Sequence, residues 1–241
     1  MKLDDVKKLQ QKKYREELGH FLVEGEHLIL ELQKAAEKIP SLKHSELYVT
    51  EAFADWPSEF RKSLITEKQM AQISDTKTPQ GILAVVPFLP KSDNAQKGER
   101  AIYLHEVQDP GNLGTIVRTL AWFGNFRLLL SPNSVDPYNP KVVRSSMGAI
   151  FHLPMELDVS LNEINNRYNK IACLDMHGNK PSDASFKEFD CYLFGNEARG
   201  VPHELLTEID VHSFSIPGSG AIESLNLASA VNMCAYELLR Q

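Results

Sequence analysis

Phe194-Gly-Asn-Glu-Ala-Arg-Gly-Val-Pro202 and, shortly after it, Ser215-Ile-Pro-Gly-Ser-Gly-Ala-Ile-Glu-Ser-Leu-Asn-Leu227 decide how this chain is read. The first places Gly195, Glu197, Arg199 and Gly200 directly behind the apolar run Cys191-Tyr-Leu-Phe194, the pattern of a strand ending in a polar turn. The second repeats it: an apolar run, a Pro-Gly-Ser-Gly loop, then Ser224-Leu-Asn226 opening an apolar helix. Upstream, Asp109-Pro-Gly-Asn-Leu-Gly-Thr-Ile-Val-Arg-Thr119 again follows an apolar strand. Open parallel sheets bind ligands outside the carboxyl ends of their strands, so three strand-end loops of this kind point to a ligand site.

Outward from these loops, residues 101–107, 126–130, 151–154, 170–175, 191–194 and 211–216 read as strands. Helices are expected after the Asp109 loop through Phe123, over 160–168 and over 225–240, and Pro140 is placed to open another with Val142 and Val143 inward. Strand–helix alternation of this length predicts a mostly parallel sheet. The last helix is apolar on most faces and is expected to be well buried. Upstream, residues 3–18 read as an exposed charged helix and 21–23 as a strand stopped by Gly25. Residues 26–38 read as a helix, with Leu28, Ile29, Leu32, Ala35 and Ala36 at helical spacing. Residues 46–50 read as a strand, 58–64 as a helix, 64–66 as a short strand, 67–73 as a helix and 81–86 as a β-branched strand. The fold class is α/β throughout. Residues 87–100 have the prolines and polar run of a linker, so two domains are expected, 1–92 and 100–241.

The net charge of −6 argues against a bulk electrostatic footprint for nucleic acid, although steering depends on the field at one face. Lys2, Lys7, Lys8, Lys12, Lys13 and Arg15 form a basic arm against Asp4 and Asp5, whose plainest reading is a solvated helix face. Cys173, Cys191 and Cys234 lie in apolar runs without paired spacing; they read as buried thiols in a reducing cytoplasm. The histidines have no metal-ligand spacing, so no metal is expected. The N-terminus is too charged for a signal peptide, and no apolar run approaches the roughly 18 residues of a membrane span.

Within the Asp109 loop, Pro110-Gly111 makes a tight turn, and Asn112 and Gly114 lead into a helix. A helix N-terminus offers unpaired N–H groups to an anion, and Arg118 can face the same side. An Arg and an Asn gripping an anionic or hydroxyl-bearing substrate is one reading; a capped helix with a surface Arg is the other. None of the loops has the Gly-Lys-Ser/Thr ending of a P-loop or the acidic partner of a dinucleotide fingerprint.

Three segments resemble the signature motifs of the SpoU-type (TrmH-like) RNA 2′-O-ribose methyltransferases of the SPOUT superfamily. They are Gln108-Asp-Pro-Gly-Asn-Leu-Gly-Thr-Ile-Val-Arg118, Leu193-Phe-Gly-Asn-Glu-Ala-Arg-Gly200 and Ile216-Pro-Gly-Ser-Gly-Ala-Ile-Glu-Ser-Leu-Asn-Leu227. The intervening Tyr138-Asn-Pro-Lys-Val-Val-Arg-Ser-Ser-Met-Gly-Ala149 is similar too, and the residues before about 90, with Phe21-Leu-Val-Glu-Gly25, resemble the L30e-like substrate-binding domain often fused in front.

The resemblance implies methyl transfer from S-adenosylmethionine to a ribose 2′-OH of rRNA or tRNA. It implies a C-terminal trefoil knot, against the usual rule for threaded chains, and a homodimer whose site is completed across the interface. Leu174, Gly195, Asn196, Glu197, Ile216, Ser224 and Leu225 would hold the cofactor. Arg118 would be catalytic with Asn112 its partner, and Glu197, Ser224 and Asn226 would be the other polar elements. Arg118, Lys141, Arg144 and Arg199, with the basic arm, would contact RNA phosphates. Glu197 either holds Arg118 or Asn112 in place or ties the loops through backbone N–H groups. Ser224 beside Asn226 serves the site or caps the final helix. A guanidinium has no acceptor lone pair. Arg118 therefore either grips the adjacent phosphate and lowers the hydroxyl pKa, or loses a proton only transiently. The alternatives are a non-catalytic RNA-binding or assembly protein on the same fold, and a base methyltransferase; Asn112, Arg118 and the Ser-Leu-Asn ending favour ribose chemistry.

Overall fold

A computed structural model describes residues 1–90, 98–207 and 209–240. In order come α1 (Leu3–Lys8), α2 (Lys12–Leu18), β1 (His20–Glu24), α3 (Glu26–Lys38), β2 (Glu46–Val49), β3 (Arg61–Leu64), α4 (Glu67–Ile73) and β4 (Ile82–Pro87). Next are β5 (Arg100–Leu104), α5 (Pro110–Phe123), β6 (Phe126–Leu130), α6 (Pro140–Ser146), β7 (Met155–Glu156) and α7 (Leu161–Arg167). Last are β8 (Ile171–Asn179), β9 (Cys191–Phe194), α8 (His203–Leu206), β10 (Val211–Phe214) and α9 (Leu227–Leu239). Residues 91–97, in the expected linker, lie outside the described residues. The chain divides into two compact units: Met1–Pro90 with Asp136–His152, and Lys91–Val135 with Leu153–Gln241.

The first unit holds a four-stranded sheet in the order β1-β4-β2-β3, antiparallel except where β2 meets β3. α3 buries Leu28, Ile29, Leu32, Ala35 and Ala36, as their spacing predicts. Thr66 starts α4 with a reciprocal cap: its hydroxyl accepts from the Gln69 N–H at 3.2 Å and the Gln69 side chain accepts from the Thr66 N–H at 2.9 Å. Segment 136–152 belongs to this unit because its aromatic residues pack there. Tyr138 stacks on Phe88 at 4.5 Å between ring centroids and meets Phe21 at 4.7 Å.

Three expectations for this unit fail, the first being the short strand over 64–66, of which only Leu64 lies in a strand while Thr66 caps α4. Residues 61–64 of the expected 58–64 helix form β3, an edge strand of Arg61-Lys-Ser-Leu64 whose side chains are mostly exposed. Charged edge strands lack the alternation that marks a half-buried strand. Residues 3–18 are two helices rather than one exposed one, and Val6 and Leu9 are fully buried. Arg15 is buried as well. It donates from Nε and Nη2 to Asp136 Oδ2 at 2.8 and 2.6 Å, and from Nη1 to the Leu9 carbonyl at 2.8 Å.

The second unit holds six parallel strands in the order β10-β8-β9-β5-β6-β7. The expected strand over 151–154 is replaced by a 3-10 turn at Ala149–Phe151, and the sheet's edge strand is the two-residue β7. Registers align the strand ends: Leu104 pairs with Phe194 and Phe194 with Leu174. β8 runs past its β9 partners, and its register with β10 jumps from Ser213–Cys173 to Phe214–Asn179, which brings Gly178 against β10. At φ +145° Gly178 lies so near β10 that a Cβ would stand 2.3 Å from the Ser213 carbonyl oxygen. α9 packs on α5 and buries Leu227, Ala228, Val231, Cys234, Ala235 and Leu238. Met233 and Tyr236 remain about half exposed, so its burial is narrower than its composition suggests.

Candidate active site

Because β10, β8, β9 and β5 are neighbours and parallel, the loops at their carboxyl ends share one edge of the sheet. The Asp109 loop is set by a cap. Asp109 Oδ1 accepts from the Asn112 N–H at 2.7 Å and Pro110 occupies the first turn of α5.

The next loop turns on Asn196, which is buried. Its Oδ1 accepts from the Ala198 and Arg199 N–H groups at 2.9 and 3.0 Å, and its backbone exchanges hydrogen bonds with Gly200 at 2.9 Å each way. Its Nδ2 donates to the Glu106 carbonyl at 2.6 Å. Gly195 is required by close approach, since a Cβ there would stand 2.2 Å from the Gly200 carbonyl carbon. In the third loop Asn226, not Ser224, caps the final helix, its Oδ1 accepting from the Ser229 N–H at 3.3 Å.

Side chains then join the three loops. Glu197 accepts from the Gln108 N–H at 3.1 Å, the Asp109 N–H at 3.2 Å and Asn112 Nδ2 at 3.3 Å. Asn112 Oδ1 in turn accepts from Asn226 Nδ2 at 2.8 Å. The line Glu197–Asn112–Asn226 fixes both ends of the Asn112 amide. Both readings of Glu197 are realised together, because one carboxylate binds backbone N–H groups and the Asn112 side chain.

Arg118 stands apart from that line. Six residues along a helix is about 600° of rotation, so Asn112 and Arg118 lie on different faces of α5. Arg118 is exposed, makes no hydrogen bond or ion pair among the described residues, and shares its face with Trp122, which is 84% exposed. Leu174 is buried within β8, Ile216 is half-buried, and Ser224 and Leu225 are exposed. Arg199 is exposed and pairs with Glu106. Lys141, exposed, and Arg144, paired with Asp75, both belong to the first unit, so the structure does not gather the four expected phosphate contacts on one unit.

Glu106 is the residue that sequence spacing misses. It adopts a left-handed φ of +49°, which nothing in a non-glycine residue's identity announces. Behind it His105 has a buried Nδ1 without a partner, and burial lowers the pKa of the ring. Burial pushes the Cys173 and Cys234 thiols up to about 12, so neither is a nucleophile at neutral pH. Among the described residues no group of three or more His, Cys, Asp and Glu is arranged to hold a metal.

A family model described as the SpoU rRNA Methylase family matches residues 99–236, and an MRM3-like substrate binding domain model matches residues 2–84. The chain is 31% identical to the 23S rRNA (guanosine(2553)-2′-O)-methyltransferase RlmP of Bacillus subtilis (strain 168), over 98% of this chain and 95% of the relative. It is 30% identical to the 23S rRNA (uridine(2479)-2′-O)-methyltransferase of Streptomyces viridochromogenes, over 77% of this chain and 71% of that one. The crystal structure of an AdoMet-bound rRNA methyltransferase from Sinorhizobium meliloti superposes with a TM-score of 0.83 at 26% identity, covering 98% of this chain and 93% of that one. With the three loops in the matched order and joined by Glu197, Asn112 and Asn226, the chain belongs to the SpoU rRNA methylase family.

Proposed function

We propose that the protein transfers a methyl group from S-adenosylmethionine to a ribose 2′-OH of RNA, and that the RNA is ribosomal. The observation that carries this is the Glu197–Asn112–Asn226 line across three loops at the carboxyl edge of a parallel sheet. The rRNA methyltransferase relatives support the RNA class.

The residues present fit the cofactor. Gly195 and Ile216 lie just past the ends of β9 and β10, Leu174 sits in β8 opposite the end of β9, and Met176 in β8 with Ile222 and Leu225 in the third loop expose apolar surface, 62%, 74% and 44% open. Small-molecule sites are mostly apolar with a few placed polar groups. We assign Leu174, Gly195, Ile216, Ser224 and Leu225 to the cofactor. Asn196 and Glu197 shape its loops, since their side chains are engaged by the protein itself. When bound, S-adenosylmethionine supplies a methyl group on a sulfonium that needs no further activation.

The chain's part is to orient the 2′-hydroxyl in line and to ease loss of its proton, and orientation alone contributes several kcal/mol. Arg118 grips the adjacent phosphate, and its positive charge lowers the pKa of the hydroxyl. Asn112, its amide locked, presents a fixed surface to the ribose.

Arg118 points away from its own chain's polar line, which supports a homodimer completing the site. Exposed apolar side chains suited to that contact are Trp122, one turn beyond Arg118 on α5, and Met233 and Tyr236 on the packed α9. We infer a trefoil knot in the C-terminal segment; β10 lying beside β8 rather than β9 supports that path. Residues 1–92 act as the L30e-like RNA-binding domain and 100–241 as the methyltransferase. No helix among the described residues is long and apolar enough to cross a membrane. Three buried free thiols suit the reducing cytoplasm.

The test is incubation with methyl-labelled S-adenosylmethionine and unmodified 23S rRNA, then nuclease digestion and nucleoside mass analysis. A 2′-O-methylated nucleoside is expected. A base-methylated nucleoside overturns the ribose assignment, and no labelled nucleoside overturns the enzyme reading.

A further inference from the structure

Glu106 is held in its left-handed conformation by its own main chain. Its N–H donates to Ser131 Oγ at 2.6 Å, and its carbonyl accepts from Asn196 Nδ2 at 2.6 Å and Gln108 Nε2 at 3.1 Å. Three loops thus converge on one residue, and its side chain starts from a fixed point. The carboxylate accepts from Arg199 Nη2 and, at 3.4 Å, from Asn133 Nδ2. Glycine adopts positive φ freely, whereas a side chain there is strained. A glutamate at this position therefore points to use of its carboxylate.

We propose that Glu106 is a specificity-determining residue: it occupies Arg199 and keeps the mouth of the site electrically neutral towards unrelated RNA, giving way when a docked phosphate replaces it. This rests on the RNA-methyltransferase reading. Arg199 is 68% exposed and Glu106 22%. Exposed ion pairs are weak, so a phosphate placed by docking can displace the carboxylate. An RNA held only by its diffuse charge meets the carboxylate as well as the guanidinium and gains little. Arg199 gives only Nη2 to Glu106, so its other N–H groups are left to meet a phosphate from an anchored, largely exposed side chain.

The test is binding of fluorescent oligouridine to the full chain across a salt series, read by anisotropy, for wild type, Glu106→Gln and Glu106→Gly. Glycine suits the positive φ, so the second variant separates loss of the carboxylate from a folding defect. Both variants are expected to bind several-fold tighter than wild type. The slope of log K against log salt steepens by about 0.7, one released counterion on a single strand. In an Arg199→Gln background the gain disappears. Unchanged or weaker binding by both variants, or an unchanged slope, overturns the proposal. Failure of the underlying reading shows elsewhere, as wild-type protein that neither binds S-adenosylmethionine nor methylates RNA.

Discussion

The parallel sheet carries a polar cluster at each end, and the two are built on opposite terms. Near the amino ends of β5 and β6, Arg127 is 2% exposed and held by Glu99 and Glu156 at 3.0 Å each, and Glu156 is gripped again by both terminal nitrogens of Arg167 at 2.8 Å. At the carboxyl ends, Glu197, Asn112 and Asn226 form a line, joined at 3.3 and 2.8 Å, that is partly open to solvent, with Arg118 outside it. Buried charges must be paired, and losing one partner strands the other. The Arg127 cluster is thus scaffold, and its groups are spent on one another. The open line fixes an amide and leaves a cation free for something that arrives later. Similar side chains serve as structure or as site according to what surrounds them.

Arg127→Met breaks the closed cluster most severely. It leaves carboxylates without their central cation and is expected to cost about 3–5 kcal/mol of stability. Urea unfolding checks it, and a change below about 1 kcal/mol, the size of a surface substitution, contradicts the scaffold assignment. Arg118→Ala attacks the open end. Methyl transfer should fall by roughly 10²–10³, or about 3–4 kcal/mol, as for other preorganised charge-stabilising groups, while the urea midpoint stays at the wild-type value. Glu197→Gln stands between the two, since the carboxylate both ties loops and holds Asn112. A loss of about tenfold in kcat/KM, near 1.4 kcal/mol, is expected from its weakened charge-assisted bonds. A transfer rate equal to wild type removes Glu197 from the account.

The smallest effect is a pH dependence. Hydrogen bonding to Arg167, helped by the charges of Arg167 and Arg127, holds the Glu156 carboxyl below the usual carboxylate range. A depressed folded pKa means that this stabilisation is fully present above the ordinary carboxylate value and is lost as pH falls through the lower folded value. Melting temperatures measured down that acid range should fall more steeply for wild type than for Glu156→Gln. Parallel curves contradict the assignment.

The carboxyl-end loops are legible because glycines, prolines and caps sit at fixed offsets from apolar runs. Asp109, Gly195 and Asn226 each play a local part that neighbouring residues announce. What escapes is long-range or conformational. Arg15 looks like one more cation of a basic arm, yet its partner Asp136 lies 121 residues away. β3 resembles a helix because Phe60 and Leu64 stand at helical spacing while its charged edge hides the strand. Segment 136–152 resembles part of the second domain by motif, but Tyr138 and its neighbours pack with the first unit, a choice made by aromatic contact. Glu106 escapes because its significance lies in a backbone angle.

The central claim is that the carboxyl-end loops bind S-adenosylmethionine while Arg118, outside the polar line, serves the transfer and not the binding. Calorimetric titration of wild type and Arg118→Ala with S-adenosylmethionine tests it most directly. The account predicts saturable binding near one site per chain for both proteins, with affinities within a few-fold of each other. Absence of binding by wild type, or collapse of affinity in the variant, contradicts it.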